Sequence, residues 1–165
     1  MDTRSQNSLK CGFVNIQSVG NKTIEIRELI AEKSFDILAL AETWLSVNDK
    51  AKIHEMMPST HTFLHAPRAN RRGGWVGILI NNEFTQAKLL GNQTFDTFES
   101  LAESFLVNGN HKHIFIVVYR PPQTSRVAFI EEFTAYLEHF HNINANIFIC
   151  GYSNLRVDDV NDQYC

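Results

Sequence analysis

The chain has 165 residues, of which 44% are hydrophobic and 20% charged, a balance that excludes a disordered, collagen-like or coiled-coil chain and fits one domain or part of one. Its formal net charge of −3 excludes a histone-like binder that holds nucleic acid on a broad basic surface, but not an enzyme that reads it through a local patch. Cys11, Cys150 and Cys165 are odd in number and form no CxxC pair, so neither a zinc site nor a disulfide framework is indicated. The first ten residues carry no apolar secretory stretch, and no apolar run nears the roughly 18 residues of a membrane span. A reduced, soluble, intracellular protein is expected.

Strands and helices alternate along the chain. Residues 1–10 read as a disordered N-terminal segment. CGFVNI (11–16) predicts a strand, and Thr23 to Lys33 a helix with Ile24, Ile26, Leu29 and Ile30 among charges. FDILALA (35–41) is a continuous apolar run, as in a strand covered on both faces. Asp49 to Met57 predicts a short helix stopped by Pro58, Thr62 to His65 a strand, WVGILI (75–80) a buried strand, and Leu101 to Val107 a weaker one. Asn108-Gly109-Asn110 marks a turn before HIFIVVY (113–119), the most β-prone run, ended by Pro121-Pro122. Ser125 to Phe140 predicts a helix capped by Thr124 or Ser125, with Ile130, Phe133, Leu137 and Phe140 as its core stripe. IFIC (147–150) predicts the last strand, followed by Gly151. The pattern is α/β, with mixed sheets in layers.

Polar features recur where apolar strands end: Asn15 in VNIQS, Glu42 in LALAETW, Tyr119 in VVYRPP, and Tyr152 to Asn154 in ICGYSN. Rigid strands aim side chains from such ends, which is where α/β folds gather their sites. Glu42 stands out, because a carboxylate at the edge of a buried strand needs an ion-pair partner or a metal, and a hard divalent cation takes one or two carboxylates and keeps several waters. Arg68, Arg71 and Arg72 form the one basic cluster, either a solvated loop or a phosphate contact. The His111-Lys112-His113 and His139-Phe140-His141 pairs lack a third ligand nearby and read as structural. GGWVG (73–77) precedes a strand and is no dinucleotide fingerprint.

AETW after an apolar strand, RRGG before another, VVYRPP, and the strand-Gly-x-x-Asn element together resemble the endonuclease/exonuclease/phosphatase superfamily. Within it they resemble the apurinic-type endonuclease domain of non-LTR (LINE-like) retrotransposons, in order from about Cys11 to Asp159. The resemblance implies a four-layer αββα sandwich of mixed β-sheets flanked by helices, of which residues 11–165 would supply the N-terminal part. It implies metal-dependent phosphodiester cleavage of DNA with Mg²⁺ or Mn²⁺, no small-molecule cofactor, no membrane association and a nuclear location. Glu42 would be the metal ligand and Asn15 would hold the metal-site network. Tyr119 would contact the scissile phosphate, Asn154 would orient water or phosphate, and Arg68, Arg71 and Arg72 would face nucleic acid.

The departures are as informative. Tyr152 stands where the family pattern has the Asp that activates or positions the nucleophile, Ser153 where it has Phe, and Trp75 where it has a third Gly. A phenol is largely protonated at neutral pH and cannot replace a carboxylate base. Loss of a positioned base costs about 10²–10⁴-fold in rate. The family's later Asp and closing Asp-His pair have no counterpart after Asp159. An incomplete domain with an open sheet edge and no endonuclease activity is therefore expected. Two other readings are a non-catalytic fragment that binds nucleic acid or a partner, and a phosphatase of the same superfamily.

Overall fold

The apolar runs pair into two four-stranded sheets. The computed structural model describes residues 8–65, 75–90, 95–109 and 111–155. One sheet has the order β1-β2-β4-β3, from β1 (Cys11–Asn15), β2 (Ile37–Ala41), β3 (His61–His65) and β4 (Gly77–Asn81). The other has the order β5-β6-β7-β8, from β5 (Thr85–Leu89), β6 (Glu99–Val107), β7 (His111–Tyr119) and β8 (Asn146–Tyr152). In each sheet one pair is parallel, β1 with β2 and β7 with β8, and the remaining pairs are antiparallel. Both sheets are therefore mixed.

Side chains alternate across a strand, and that alternation builds the layers. Ile37, Ala39, Ala41, Ile78 and Ile80 of the first sheet meet Leu101, Phe105, Phe115, Val117 and Tyr119 of the second. The opposite face of the first sheet, with Leu38, Leu40, Phe63 and Leu79, is covered by α1 (Thr23–Lys33) and α2 (Lys50–Met56) through Ile26, Ile30 and Met56. The opposite face of the second, with Ala102, Ile114, Ile116 and Val118, is covered by α3 (Arg126–Glu138). The result is a helix–sheet–sheet–helix sandwich, as expected from the sequence. Every residue of β2 and of β4 is buried, which is why those strands read as unbroken apolar runs rather than alternating ones. Among the described residues, no helix is long and apolar enough to cross a membrane.

Local details differ from the sequence expectation in physical ways. TQAKL forms β5, an edge strand whose register against β6 shifts between Thr85 and Lys88. It has too few apolar residues to be seen without its partner. Helix α3 buries Phe129 and Tyr136, with Phe140 just beyond its end, and leaves Ile130 at 39% exposure. The aromatic cluster beneath decides this face: Phe98 meets Phe129 edge-on at 5.5 Å and Phe95 meets Tyr136 at 4.7 Å. The Ser125 hydroxyl caps the helix by accepting from the Ala128 N–H. In α1, Ile26 and Ile30 are buried while Ile24 is exposed. At the N-terminal side, the Lys10 N–H donates to the Asp36 carboxylate at 2.8 Å, and Leu9 packs against the inter-sheet core.

The edge strands β1 and β8 touch one another across the sandwich. There, burial pushes the Cys150 thiol up to about 12, and the neighbouring Cys11 adds to the rise. Ile147, Phe148 and Ile149 of β8 remain exposed. Gly151 is held by steric necessity: a Cβ there would lie 2.0 Å from the Val118 carbonyl oxygen of the paired strand.

Glu103 sits on the inter-sheet face of β6 between Leu101 and Phe105. It is fully buried, and neither carboxylate oxygen has a hydrogen-bond partner among the described residues. Burial pushes its carboxyl up to about 8, against roughly 4.3 in an unfolded chain. The unfolded chain thus gives up this proton first. The protein is most stable in this respect below about pH 4, and loses stability as pH rises from there through 8. Glu103→Met is expected to flatten that part of the pH–stability profile and to stabilise the fold at neutral pH by about 1–3 kcal/mol. Thermal unfolding between pH 4 and 9 measures both. A second expected outcome is that Gly151→Ala destabilises the protein by at least about 2 kcal/mol, read from denaturant unfolding.

Candidate active site

The strand registers bring the polar strand ends to one rim. Asn15 lies opposite Ala41, so Glu42 follows directly beside it. Tyr119 lies opposite Glu99 on one side and Tyr152 on the other. The two sheets present these ends together. The Asn15 Nδ2 donates to Glu42 Oε1 at 2.8 Å, and Asn15 Oδ1 accepts from the Gln17 N–H at 3.4 Å. The Tyr119 hydroxyl hydrogen-bonds the Glu42 carboxylate. Burial, that bond and the nearby carboxylates of Glu42 and Glu99 drive the Tyr119 phenol well above its ordinary range. Tyr119 is therefore a fixed proton donor and not a base.

The backbone of the rim is stitched across elements. The Ser18 N–H donates to the Glu42 carbonyl at 2.7 Å, the Val19 N–H to the Thr43 carbonyl at 3.0 Å, and the Thr43 N–H to the Trp75 carbonyl at 3.1 Å. The Trp75 N–H in turn donates to the Glu99 carboxylate. Left-handed backbone at non-glycine residues clusters here, at Gln17, Ser18, Glu42, Trp44, Trp75 and Asn154. Such conformations cost of order 1–3 kcal/mol each in the least favourable cases, and gather where surrounding structure over-determines a site. At Trp75, φ is 81°. A glycine takes that conformation freely, which accounts for the Gly that the resembled pattern has there.

Of the residues singled out from sequence, Asn15, Glu42, Tyr119 and Tyr152 come together at this rim. Asn154 reaches the rim on the loop after β8. Its Nδ2 donates to the Arg120 carbonyl at 2.6 Å, tying its loop to the Tyr119–Pro122 segment. Arg68, Arg71 and Arg72 lie outside the described residues. Sequence reading missed two residues. Glu99 enters only through its register opposite Tyr119, which no local pattern reveals. Arg120 is visible in sequence only as the residue after Tyr119, yet it is 2% exposed. Its guanidinium donates to the carbonyls of Ser153 at 3.0 Å, Asn154 at 3.4 Å and Thr124, and lies 5.7 Å from the Phe129 ring centroid. Its N–H donates to the Tyr152 carbonyl at 2.9 Å. Arg120 thus fixes the loop that carries Tyr152 to Asn154.

Among the described residues, no group of three or more His, Cys, Asp or Glu side chains could hold a metal. The donor set that remains is a half-buried carboxylate, Glu42, beside an amide, with only Asn15 and Tyr119 as described partners. That set fits a hard divalent cation that keeps several of its waters, and does not fit zinc. Neither His pair serves such a site: His113 stacks between Phe105 and Phe148, and His139 Nδ1 lies 2.9 Å from the Ala135 carbonyl.

Residues 12–151 match the Endonuclease/Exonuclease/phosphatase family. Among curated proteins, none matches the chain. Among solved structures, the fold is similar to the endonuclease domain of TRAS1, a telomere-specific non-LTR retrotransposon, with TM-score 0.66 and 8% identity over 92% of this chain and 61% of that one. It is equally similar to the mannosyl-6-phosphatase of Bacteroides thetaiotaomicron, with TM-score 0.66 and 12% identity over 87% and 64%. The human Nocturnin catalytic domain follows, with TM-score 0.59 and 14% identity over 86% and 62%. The chain spans less than two thirds of the length of each of these structures. At such identities the likeness establishes the fold.

Removing the Arg120 strap should loosen one loop more than the whole. Arg120→Met is expected to lower stability by about 2–5 kcal/mol, since hydrogen bonds from a charged group are worth about 1.5–3 kcal/mol each. Amide exchange should rise most at residues 152–155. Arg120→Lys, with one donor head for three carbonyls, should fall between.

Proposed function

Because the chain belongs to the endonuclease/exonuclease/phosphatase family, we propose that its rim is a DNA phosphodiester site of the retrotransposon-endonuclease type, impaired in catalysis by Tyr152. The observation that carries this reading is the continuous Asn15–Glu42–Tyr119 contact, which joins the two sheets at the ends of their strands. There, Glu42 would hold Mg²⁺ or Mn²⁺, with its carboxylate oriented by the Asn15 amide. When bound, such a cation neutralises phosphate charge and stabilises the leaving oxygen. Tyr119 stays protonated, and its one O–H, which Glu42 accepts in this structure, would turn to a phosphate oxygen as charge develops there. Asn154 has one amide N–H committed to the Arg120 carbonyl, which leaves its other N–H to donate to phosphate and its carbonyl oxygen to accept from water. Arg68, Arg71 and Arg72 would face the DNA backbone, and a retroelement role would place the protein in the nucleus.

By the resemblance, the group replaced is the base. Tyr152 occupies the register position beside Tyr119 where water activation calls for a carboxylate, and its ring is 48% exposed at the rim. The reading is therefore of a site that binds metal and phosphate and hydrolyses poorly. A phosphomonoester substrate is the second reading, supported by the equal likeness to the mannosyl-6-phosphatase fold. Turnover of p-nitrophenyl phosphate without plasmid nicking would favour it.

The test has two parts. With Mg²⁺ or Mn²⁺, supercoiled plasmid should remain unnicked, at a rate at least about 10²-fold below that of a site with its base in place. Mn²⁺ binding, followed by its electron paramagnetic resonance signal, should be present, lost in Glu42→Ala and tightened in Tyr152→Asp. Nicking that vanishes in Glu42→Ala would overturn the impairment. An unmodified chain that binds no Mn²⁺ would overturn the site.

A further inference from the structure

Trp44 is two residues beyond Glu42, yet it plays no part in the metal or phosphate chemistry above. Trp44 is 54% exposed, whereas the other tryptophan, Trp75, is 9% exposed. The residues on either side are anchored. Thr43 is 1% exposed and bonded through both backbone groups, to Trp75 and Val19. Leu45 is 1% exposed and packs in the core beneath α1 and α2. Between these anchors the backbone of Trp44 is left-handed, with φ 53°. Among the described residues, the ring has no hydrogen-bond or stacking partner. Val47, close by in the same segment, is 61% exposed.

Folding by itself favours neither a large apolar ring in water nor a left-handed tryptophan. Here both occur in a rigid segment beside the carboxylate of the site. Rigid display of an aromatic face lowers the ordering cost of binding, and every nucleobase offers a π-face to it. The reach also fits, since two residues span at most about 7 Å, comparable to one or two nucleotide spacings of about 3.4 Å along a strand. A net charge of −3 leaves little to a general attraction for phosphate, so affinity needs a term of another kind.

We infer that Trp44 is a stacking platform for an unpaired or unstacked nucleobase next to the phosphate held at Glu42. The inference rests on the phosphodiester reading of that site and adds how the flanking nucleotide is gripped.

The test uses the full chain and an oligothymidylate of about twelve nucleotides, within the 4–16 nucleotide range typical of such sites. A base-free deoxyribose-phosphate strand of equal length is the control. Oligothymidylate should quench the exposed tryptophan emission and bind more tightly than the base-free strand. Trp44→Ala should weaken oligothymidylate binding by about 5- to 150-fold and leave binding of the base-free strand unchanged. Trp44→Phe should keep most of the affinity. Unfolding curves of the two variants should match that of the unmodified chain, because the ring is not part of the core. If Trp44→Ala binds oligothymidylate as the unmodified chain does, the platform is overturned and the phosphodiester site stands. If the unmodified chain binds neither strand, both fall. If Trp44 emission changes with protein concentration before any oligonucleotide is added, a second copy covers the ring and the platform is overturned.

Discussion

Between the two sheets, Ile37, Ala39 and Ala41 of β2 face Phe115, Val117 and Tyr119 of β7, and the position of every polar group at the rim follows from that contact. The alanines are small enough for the sheets to close over them, and the phenol of Tyr119 crosses from one sheet to the Glu42 carboxylate on the other. A slip of one residue in either strand would turn these side chains outward and separate Glu42 from Tyr119. Burial of aliphatic and aromatic side chains, at roughly 1.5–3 kcal/mol each, thus fixes a polar arrangement that its own hydrogen bonds could not hold in water.

Strain at the rim has the same origin. The loops that leave β1 and β2 and enter β4 bond to one another through backbone groups at residues 18, 19, 43 and 75. Glu42 and Trp75 are thereby kept in conformations that an isolated segment would leave. Under the proposed function, Tyr152 would be a chemical change that spares the architecture. It pairs opposite Tyr119 and its carbonyl accepts from the Arg120 N–H, so β8 is built by backbone groups while the side chain at the rim is a phenol. Pairing in the sheet and the group shown at the rim are thus set by different atoms of one residue.

The sequence was most legible where burial is two-sided. FDILALA and HIFIVVY announce β2 and β7 because a strand covered on both faces has no polar alternation to hide it, and Glu42 is conspicuous as the first carboxylate after such a run. Legibility fails where pairing is non-local. β5 is defined by β6, and Glu99 by its place opposite Tyr119. Arg120 gains its role from carbonyls more than thirty positions away. The buried face of α3 turned on Phe95 and Phe98, which a helical periodicity taken alone cannot include. Glu103 was passed over because a carboxyl in a mixed strand looks solvated until its neighbours close around it.

The meeting of β1 and β8 has a chemical consequence. Burial pushes the Cys150 thiol up to about 12, so at neutral pH it is held as the thiol, whereas thiolate is the form that reacts. Although Cys11 lies close by, the pair is poorly suited to forming a redox latch between the sheets, and alkylating reagents will find little nucleophile at Cys150. Among the described residues, Cys11 and Cys150 are both free thiols, so the sheets meet along that line without a covalent link between these two.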